Sequence, residues 1–267
     1  MPVFNHVFII VMENNEYGNI IGNSSAPYIN GLANQYALAT QYYGVSHPSL
    51  PNYLALSGGS TFGITSDCTT CWINATNLAD QIEGSGRSWK AYMESMPSAC
   101  VLGDSGQYAQ RHNPWVYYND IRTNSARCAA HVVPYTQFGS DVANGTVPNF
   151  VWITPNVCND MHDCSVNTGD TWLSQNVPTI LNSAAYKNGG VLFLIWDEGT
   201  TSAGCCTNAS GGHIATLVVS PLGKNAFRSA TPEDHYSLVA TIEASWSLSR
   251  LNNAACTCAP VMREYFK

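Results

Sequence analysis

Charge is what this chain has least of. Only 11% of its 267 residues are Asp, Glu, Lys or Arg, against about 25% in an average globular domain. Basic residues are the scarcest: Lys and Arg number 11 together, and the formal net charge is −7. That argues against nucleic acid as a partner, because its phosphates need Lys and Arg to neutralise them. It also disfavours electrostatic docking on anionic membranes. No apolar run approaches the roughly 20 residues of a membrane span. Internal repeats, low-complexity linkers and charge blocks are missing too, so we read residues 1–267 as one domain. A chain of this length buries roughly 70–75% of its unfolded surface, so a substantial core is available.

Cysteine, by contrast, is abundant, with 10 residues. They cluster as Cys68/Cys71, Cys100/Cys128, Cys158/Cys164, Cys205/Cys206 and Cys256/Cys258. Cys68 and Cys71 have zinc-finger spacing, but no second such pair or nearby His completes a four-ligand set. We therefore read the cysteines as disulfides and the compartment as oxidising, that is, secreted, extracellular or periplasmic. Local bridges Cys68–Cys71, Cys100–Cys128 and Cys158–Cys164 are expected. For the remaining four, a bridge between adjacent residues is strained. The expectation is that the loop at 205–206 is tied to the C-terminal tail at 256–258. Met1-Pro2 runs straight into an apolar segment, as in a mature domain whose leader has been removed.

Three apolar runs end abruptly in residues that bind metals or handle protons. Val7–Met12 stops at Glu13-Asn14, Phe150–Ile153 at Thr154-Pro155-Asn156, and Val191–Trp196 at Asp197-Glu198. Such runs, rich in Val, Ile and Phe, read as strands buried on both faces. Ligand sites in open α/β sheets form at the carboxyl ends of the strands. Glu13, Asn14, Asp197 and Glu198 are thus expected to converge, and their carboxylates to need a cation. Helices are predicted at 27–37, Ser49–Ser57, Asn77–Gly84, Trp172–Leu181 and Tyr236–Leu248. Strands are predicted at about 5–12, Arg87–Tyr92, Val191–Trp196 and Ile214–Ser220. Strands alternate with helices, giving an α/β fold with a mainly parallel central sheet flanked by helices. Residues 98–146, rich in Cys, Asn and aromatics, read as an irregular cap inside an insertion at about 60–146.

Pro48 and Pro51 fix the backbone around Ser49. If Ser49 opens a helix, its hydroxyl lies where free N–H groups and the helix dipole favour an anion. Ser49 is then either a plain N-cap or a nucleophile. His162 stands between Asp160 and Asp163 in a loop bounded by Cys158 and Cys164, poised for proton transfer or phosphate contact. His112, in Arg111-His112-Asn113-Pro114, is a weaker candidate. His213 and His235 are read as structural.

Taken in order, Met12-Glu13-Asn14, His47-Pro48-Ser49-Leu50-Pro51-Asn52-Tyr53, His112-Asn113-Pro114, Asn159-Asp160-Met161-His162-Asp163, Trp196-Asp197-Glu198-Gly199 and His235-Tyr236-Ser237-Leu238 resemble the phosphoesterase family of bacterial acid phosphatases and phospholipases C, within the alkaline phosphatase superfamily. The resemblance runs from residue 12 to about 248. It implies an alkaline-phosphatase-like fold with Ser49 as nucleophile. Glu13, Asn14, Asp197 and Glu198 would be the metal ligands, Asn14 also meeting substrate, with His112 and His162 lining the phosphate pocket. Oxygen ligands predominate, so one divalent cation (Mg, Ca or Zn) is expected, with the hard ions favoured over a two-zinc site. The substrate would be a small phosphate ester or a phospholipid headgroup. A phosphomonoesterase is preferred to a phospholipase C, because no apolar helix for lipid stands out. A non-catalytic binding module is the rival reading, and it is disfavoured because no ligand or nucleophile is lost.

Overall fold

The computed structural model describes all residues, 1–267. In chain order the elements are β1 (His6–Met12), α1 (Tyr17–Ile20), α2 (Pro27–Gln35), β2 (Ala37–Tyr43), α3 (Ser49–Gly58), α4 (Leu78–Gly84) and β3 (Trp89–Met93). Then come α5 (Asn119–Arg122), α6 (Ser125–His131), β4 (Val132–Pro134), α7 (Thr136–Ala143), β5 (Phe150–Thr154), α8 (Val166–Asn182) and α9 (Ala184–Lys187). The chain ends with β6 (Gly190–Trp196), β7 (His213–Val219), β8 (Arg228–Ser229), β9 (Glu233–Asp234) and α10 (His235–Trp246).

One nine-stranded sheet runs β4-β3-β5-β1-β6-β7-β2-β8, with β9 also pairing with β2. All pairings are parallel except those of β7, which is antiparallel to both β6 and β2. Parallel neighbours need a crossover, usually helical. The Gly-, Ser- and Cys-rich stretch between Trp196 and His213 forms no helix, so β7 folds back against β6. β5, β6 and the whole of β1 after His6 are buried, as expected where layers cover both faces of a sheet. β3 and β4 belong to this sheet. The insertion expected at about 60–146 thus supplies two strands to the sheet.

Local chemistry sets the helix ends that matter to the site. α3 is buried along its whole length and stops at Gly59, whose φ of 69° is the left-handed conformation glycine adopts at little cost. α4 carries the anticipated capping box: the Asn77 side chain accepts from the Asp80 N–H and the Asp80 carboxylate accepts from the Asn77 N–H, worth about 1 kcal/mol. α2 begins with Ala26, which cannot cap. Asp170 of α8 accepts from the N–H groups of Tyr28 and Ile29 instead, fixing α2 on α8.

The cysteines form five bridges, Cys68–Cys71, Cys100–Cys128, Cys158–Cys164, Cys205–Cys206 and Cys256–Cys258. The last two correct the expected long-range links. The 205–206 loop does approach the tail, with Asn208 Nδ2 4.0 Å from Cys258 Sγ. Tight turning at Cys206 and Thr207, both at positive φ, nevertheless leaves each sulfur paired with its chain neighbour. Closing a long loop favours a bridge only when the native fold brings the sulfurs together.

Beside β2, Glu233 is 1% exposed and accepts a 2.5 Å hydrogen bond from Tyr265 Oη. Burial, with smaller contributions from Glu264 and Asp234, pushes its carboxyl from an ordinary 4.5 up to about 8. Between those values the folded state holds a proton that the unfolded chain releases. Glu233 therefore costs stability as pH rises through that window, by up to about 1.4 kcal/mol per pH unit. Glu233→Gln should flatten this slope. The check is Tm from pH 5 to 8, where parallel curves for the two proteins would refute the assignment.

Candidate active site

The apolar cores of β1 and β6 place Glu13 and Asp197 at adjacent strand ends, with Met12 paired to Trp196. Both carboxylates are fully buried. The Asn14 N–H donates to Asp197 Oδ1 at 3.2 Å. His235, at the start of α10, approaches the Asp197 carbonyl oxygen with Nε2 at 2.5 Å. Behind this turn the chain passes very close: a Cβ on Gly44 would lie 2.9 Å from the same carbonyl. Glycine is needed there.

Ser49 opens α3, as anticipated, and is 2% exposed. Its Oγ donates to Glu13 Oε2 at 3.0 Å, and Tyr53, one turn along the helix, donates to Glu13 Oε1 at 2.6 Å. Asp67 Oδ1 accepts from the Leu50 N–H at 2.9 Å. Asn52 Oδ1 accepts from the N–H groups of Val45 and Ser46, holding the approach to the helix. The sequence that looks like a plain helix start is thus a cradle for one hydroxyl.

His112 lies between two carboxylates, with Nε2 3.3 Å from Glu13 Oε1 and Nδ1 3.2 Å from Asp160 Oδ2. Its ring stacks on Tyr53. Burial, and behind it the charges of Arg111 and His162, hold its pKa well below the ordinary range, so the ring is neutral. His162 is half-buried, and its Nδ1 lies 2.6 Å from Asp163 Oδ1. Ligand atoms of Glu13, His112 and His162 all fall within 4.8 Å of one another. Glu198 Oε2 lies 2.9 Å from His47 Nδ1 and accepts from Asn52 Nδ2 at 3.2 Å.

The fold thus brings Glu13, Ser49, His112, His162 and Asp197 together. Glu198 forms the neighbouring wall, and Asn14 enters through its backbone. Asp160, Tyr53 and Asn52 complete the centre, although sequence reasoning gave them no role. The signal for Asp160 was present in Asn159-Asp160-Met161-His162-Asp163, where attention went to the histidine.

Burial pushes Asp160 up to about 8, Asp197 to about 7 and Glu198 to about 9, and lifts Glu13 well above the usual carboxylate range, with repulsion from Asp197 and Asp160 adding to burial. Asp197 Oδ2, Asp160 Oδ2 and both ring nitrogens of His112 are buried without a hydrogen-bond partner. Unpartnered buried acceptors are costly. A set of carboxylate oxygens plus neutral imidazole is the donor chemistry that a divalent cation takes. The residues therefore fit a metal ion.

Comparison with known proteins agrees with this geometry. The model of the phosphoesterase family matches residues 23–249. A phosphatidylinositol-3-phosphatase of Mycobacterium tuberculosis is 34% identical over 99% of this chain and 83% of its own length. An acid phosphatase of Aspergillus fumigatus is 31% identical over 95% of this chain, which spans 57% of that protein. Among solved structures, a protein in the alkaline phosphatase superfamily from Vibrio parahaemolyticus superimposes with a TM-score of 0.62 at 10% identity, over 92% of this chain and 67% of that one. The chain belongs to the phosphoesterase family, and it is a phosphoric ester hydrolase with an alkaline-phosphatase-like α/β fold.

Proposed function

We propose that the protein is a secreted, metal-dependent phosphomonoesterase that works through a phospho-serine intermediate. The observation that carries this is the 3.0 Å hydrogen bond from Ser49 Oγ to Glu13 at the N-terminus of α3. Glu13 Oε2 takes the hydroxyl proton as Oγ attacks phosphorus. Tyr53 holds the carboxylate in place through its other oxygen. The Ser49 Oγ–phosphorus bond forms, the bond from phosphorus to the ester oxygen breaks, and the departing oxygen takes a proton from solvent, made good when the attacking water of the second step loses one. Water then attacks the phospho-serine, and Ser49 leaves with the proton returned by Glu13. His112, neutral beside Glu13 and Asp160, donates a hydrogen bond to a non-bridging phosphoryl oxygen. Glu13, Asn14, Asp197 and Glu198 would hold one divalent cation, with the His112 and His162 nitrogens within reach of Glu13. Such a cation neutralises the carboxylates and the phosphoryl oxygens, and lowers the pKa of the serine hydroxyl. Secretion is supported by the five disulfides, and no helix is long and apolar enough to cross a membrane.

The mycobacterial relative's name specifies a phosphatase acting on a phosphoinositide, and the fungal relatives are named acid phosphatases. Both descriptions fit monoester hydrolysis. The deciding assay offers the purified protein an aryl phosphate, a bis-aryl phosphate diester and a phosphatidylcholine. Fastest release of inorganic phosphate from the monoester is expected. Faster diester or phosphatidylcholine cleavage would make it a phospholipase C or phosphodiesterase.

A further inference from the structure

Arg111 has no place in the mechanism above, yet it lies against His162 and next in sequence to His112. Its Nη2 is 3.3 Å from His162 Nε2. Its Nε is 3.7 Å from Asp67 Oδ2 and its Nη1 3.9 Å from Asp104 Oδ2. Asp67 in turn caps the N-terminus of α3 at Leu50, next to Ser49. The guanidinium therefore bridges the serine helix and the loop bearing His162. An arginine carries five N–H donors. Here one makes a hydrogen bond, and the two carboxylates lie beyond hydrogen-bond range. Most of its donors are thus free, on a side chain only 23% exposed.

The partners of His162 orient its ring. Asp163 can only accept, so Nδ1 carries the proton. Arg111 can only donate, so it is Nε2 that meets the guanidinium. His162, anticipated as a phosphate contact, is placed to hold Arg111. With Glu13, Asp160, Asp197 and Glu198 behind it, the centre is strongly acidic. Arg111 is the one lysine or arginine whose salt bridges and hydrogen bonds lie among these loops.

We propose that Arg111 binds the terminal oxygens of a phosphate monoester and sets the preference for monoesters over diesters, with His162 and Asp67 as its positioning residues. This rests on Ser49 being the attacking group. A monoester offers three non-bridging oxygens and two negative charges. A diester offers two oxygens and one charge. The extra anionic oxygen is the one that needs a planar, bidentate donor beyond those serving both substrates.

The test compares kcat/KM for an aryl phosphate and a bis-aryl phosphate in wild type, Arg111→Ala and Arg111→Lys. Arg111→Ala should lose about 100-fold or more on the monoester, the scale of removing one transition-state donor. The diester should lose less than about 5-fold, since its missing charge weakens the contact already. Arg111→Lys, which keeps charge without the fork, should fall between. Equal losses on both substrates, or none, overturn the proposal, and Arg111→Lys decides the matter if the alanine variant does not fold. Calorimetric titration of inorganic phosphate into Ser49→Ala, with and without Arg111→Ala, separates this proposal from the catalytic reading. Weaker phosphate binding in the double variant supports Arg111 even if the wild type turns over neither ester, which would defeat the phosphatase reading alone. Unchanged phosphate affinity sinks the role of Arg111 whatever the turnover.

Discussion

Replacing Ser49 with alanine should remove roughly 10⁴–10⁶-fold of kcat on an aryl phosphate, the scale seen when a covalent nucleophile or its partner is deleted and binding alone remains. The fold should survive. Ser49 is buried at a helix start whose shape Asp67 and Asn52 hold through backbone N–H groups, and alanine fits there. The cost is the hydrogen bond to Glu13, about 1–2 kcal/mol, with Tyr53 still serving the other carboxylate oxygen. Circular dichroism and kcat on the same preparation make the check. A variant that keeps a tenth of the wild-type kcat would show that some other group attacks phosphorus.

Stripping divalent cations should abolish activity and lower Tm together. Asp197, Glu13 and Asp160 are packed beside one another with acceptor atoms left open, so the folded state alone offers the site. An ion at a hundred times its dissociation constant would add about 2.7 kcal/mol. For a chain of this size that corresponds to roughly 5–10 °C. Asp197→Asn should weaken cation affinity and shrink the thermal shift on adding metal. Full activity in protein shown by elemental analysis to be metal-free would defeat the cation's role. The carboxylates would then need another explanation for their burial.

The strands that lead to the site are legible because both faces of the sheet are covered. Val7–Met12 and Val191–Trp196 are almost unbroken apolar runs, and their ends fall where the chemistry begins. Ser49 and the Asn77 cap are local signals, set by proline placement and by a three-residue spacing. β2 is not legible in the same way. Ala-Leu-Ala-Thr-Gln-Tyr-Tyr carries two polar residues mid-strand and a bulge between Ala39 and Tyr42, so its period is broken. The direction of β7 was open to inference from the residues before it, which lack any helical pattern. The bridges at Cys205–Cys206 and Cys256–Cys258 depend on turn geometry that spacing does not encode. The same holds for Tyr53 and Asp160. Each touches Glu13 or His112 only through packing between elements far apart in sequence.

β1 gains neither of its neighbours until long after it has itself been made. Val7 pairs with Phe150 on one side and with Val191 on the other. The strand ends that lead to Glu13 and Asp197 are therefore assembled only once the chain has been made as far as β6. Contacts so distant in sequence are slow to form, because the intervening loop must be closed before they reward it. None of the five disulfides can hold the place in the meantime, since the widest spans 28 residues. Until β6 arrives, a run of six apolar side chains stands with an open edge, the form in which nascent chains aggregate. Production of the protein should therefore be governed by how long β1 is kept from other copies of itself, and a chain that ends before Trp196 lacks the partner that β1 needs along its full length.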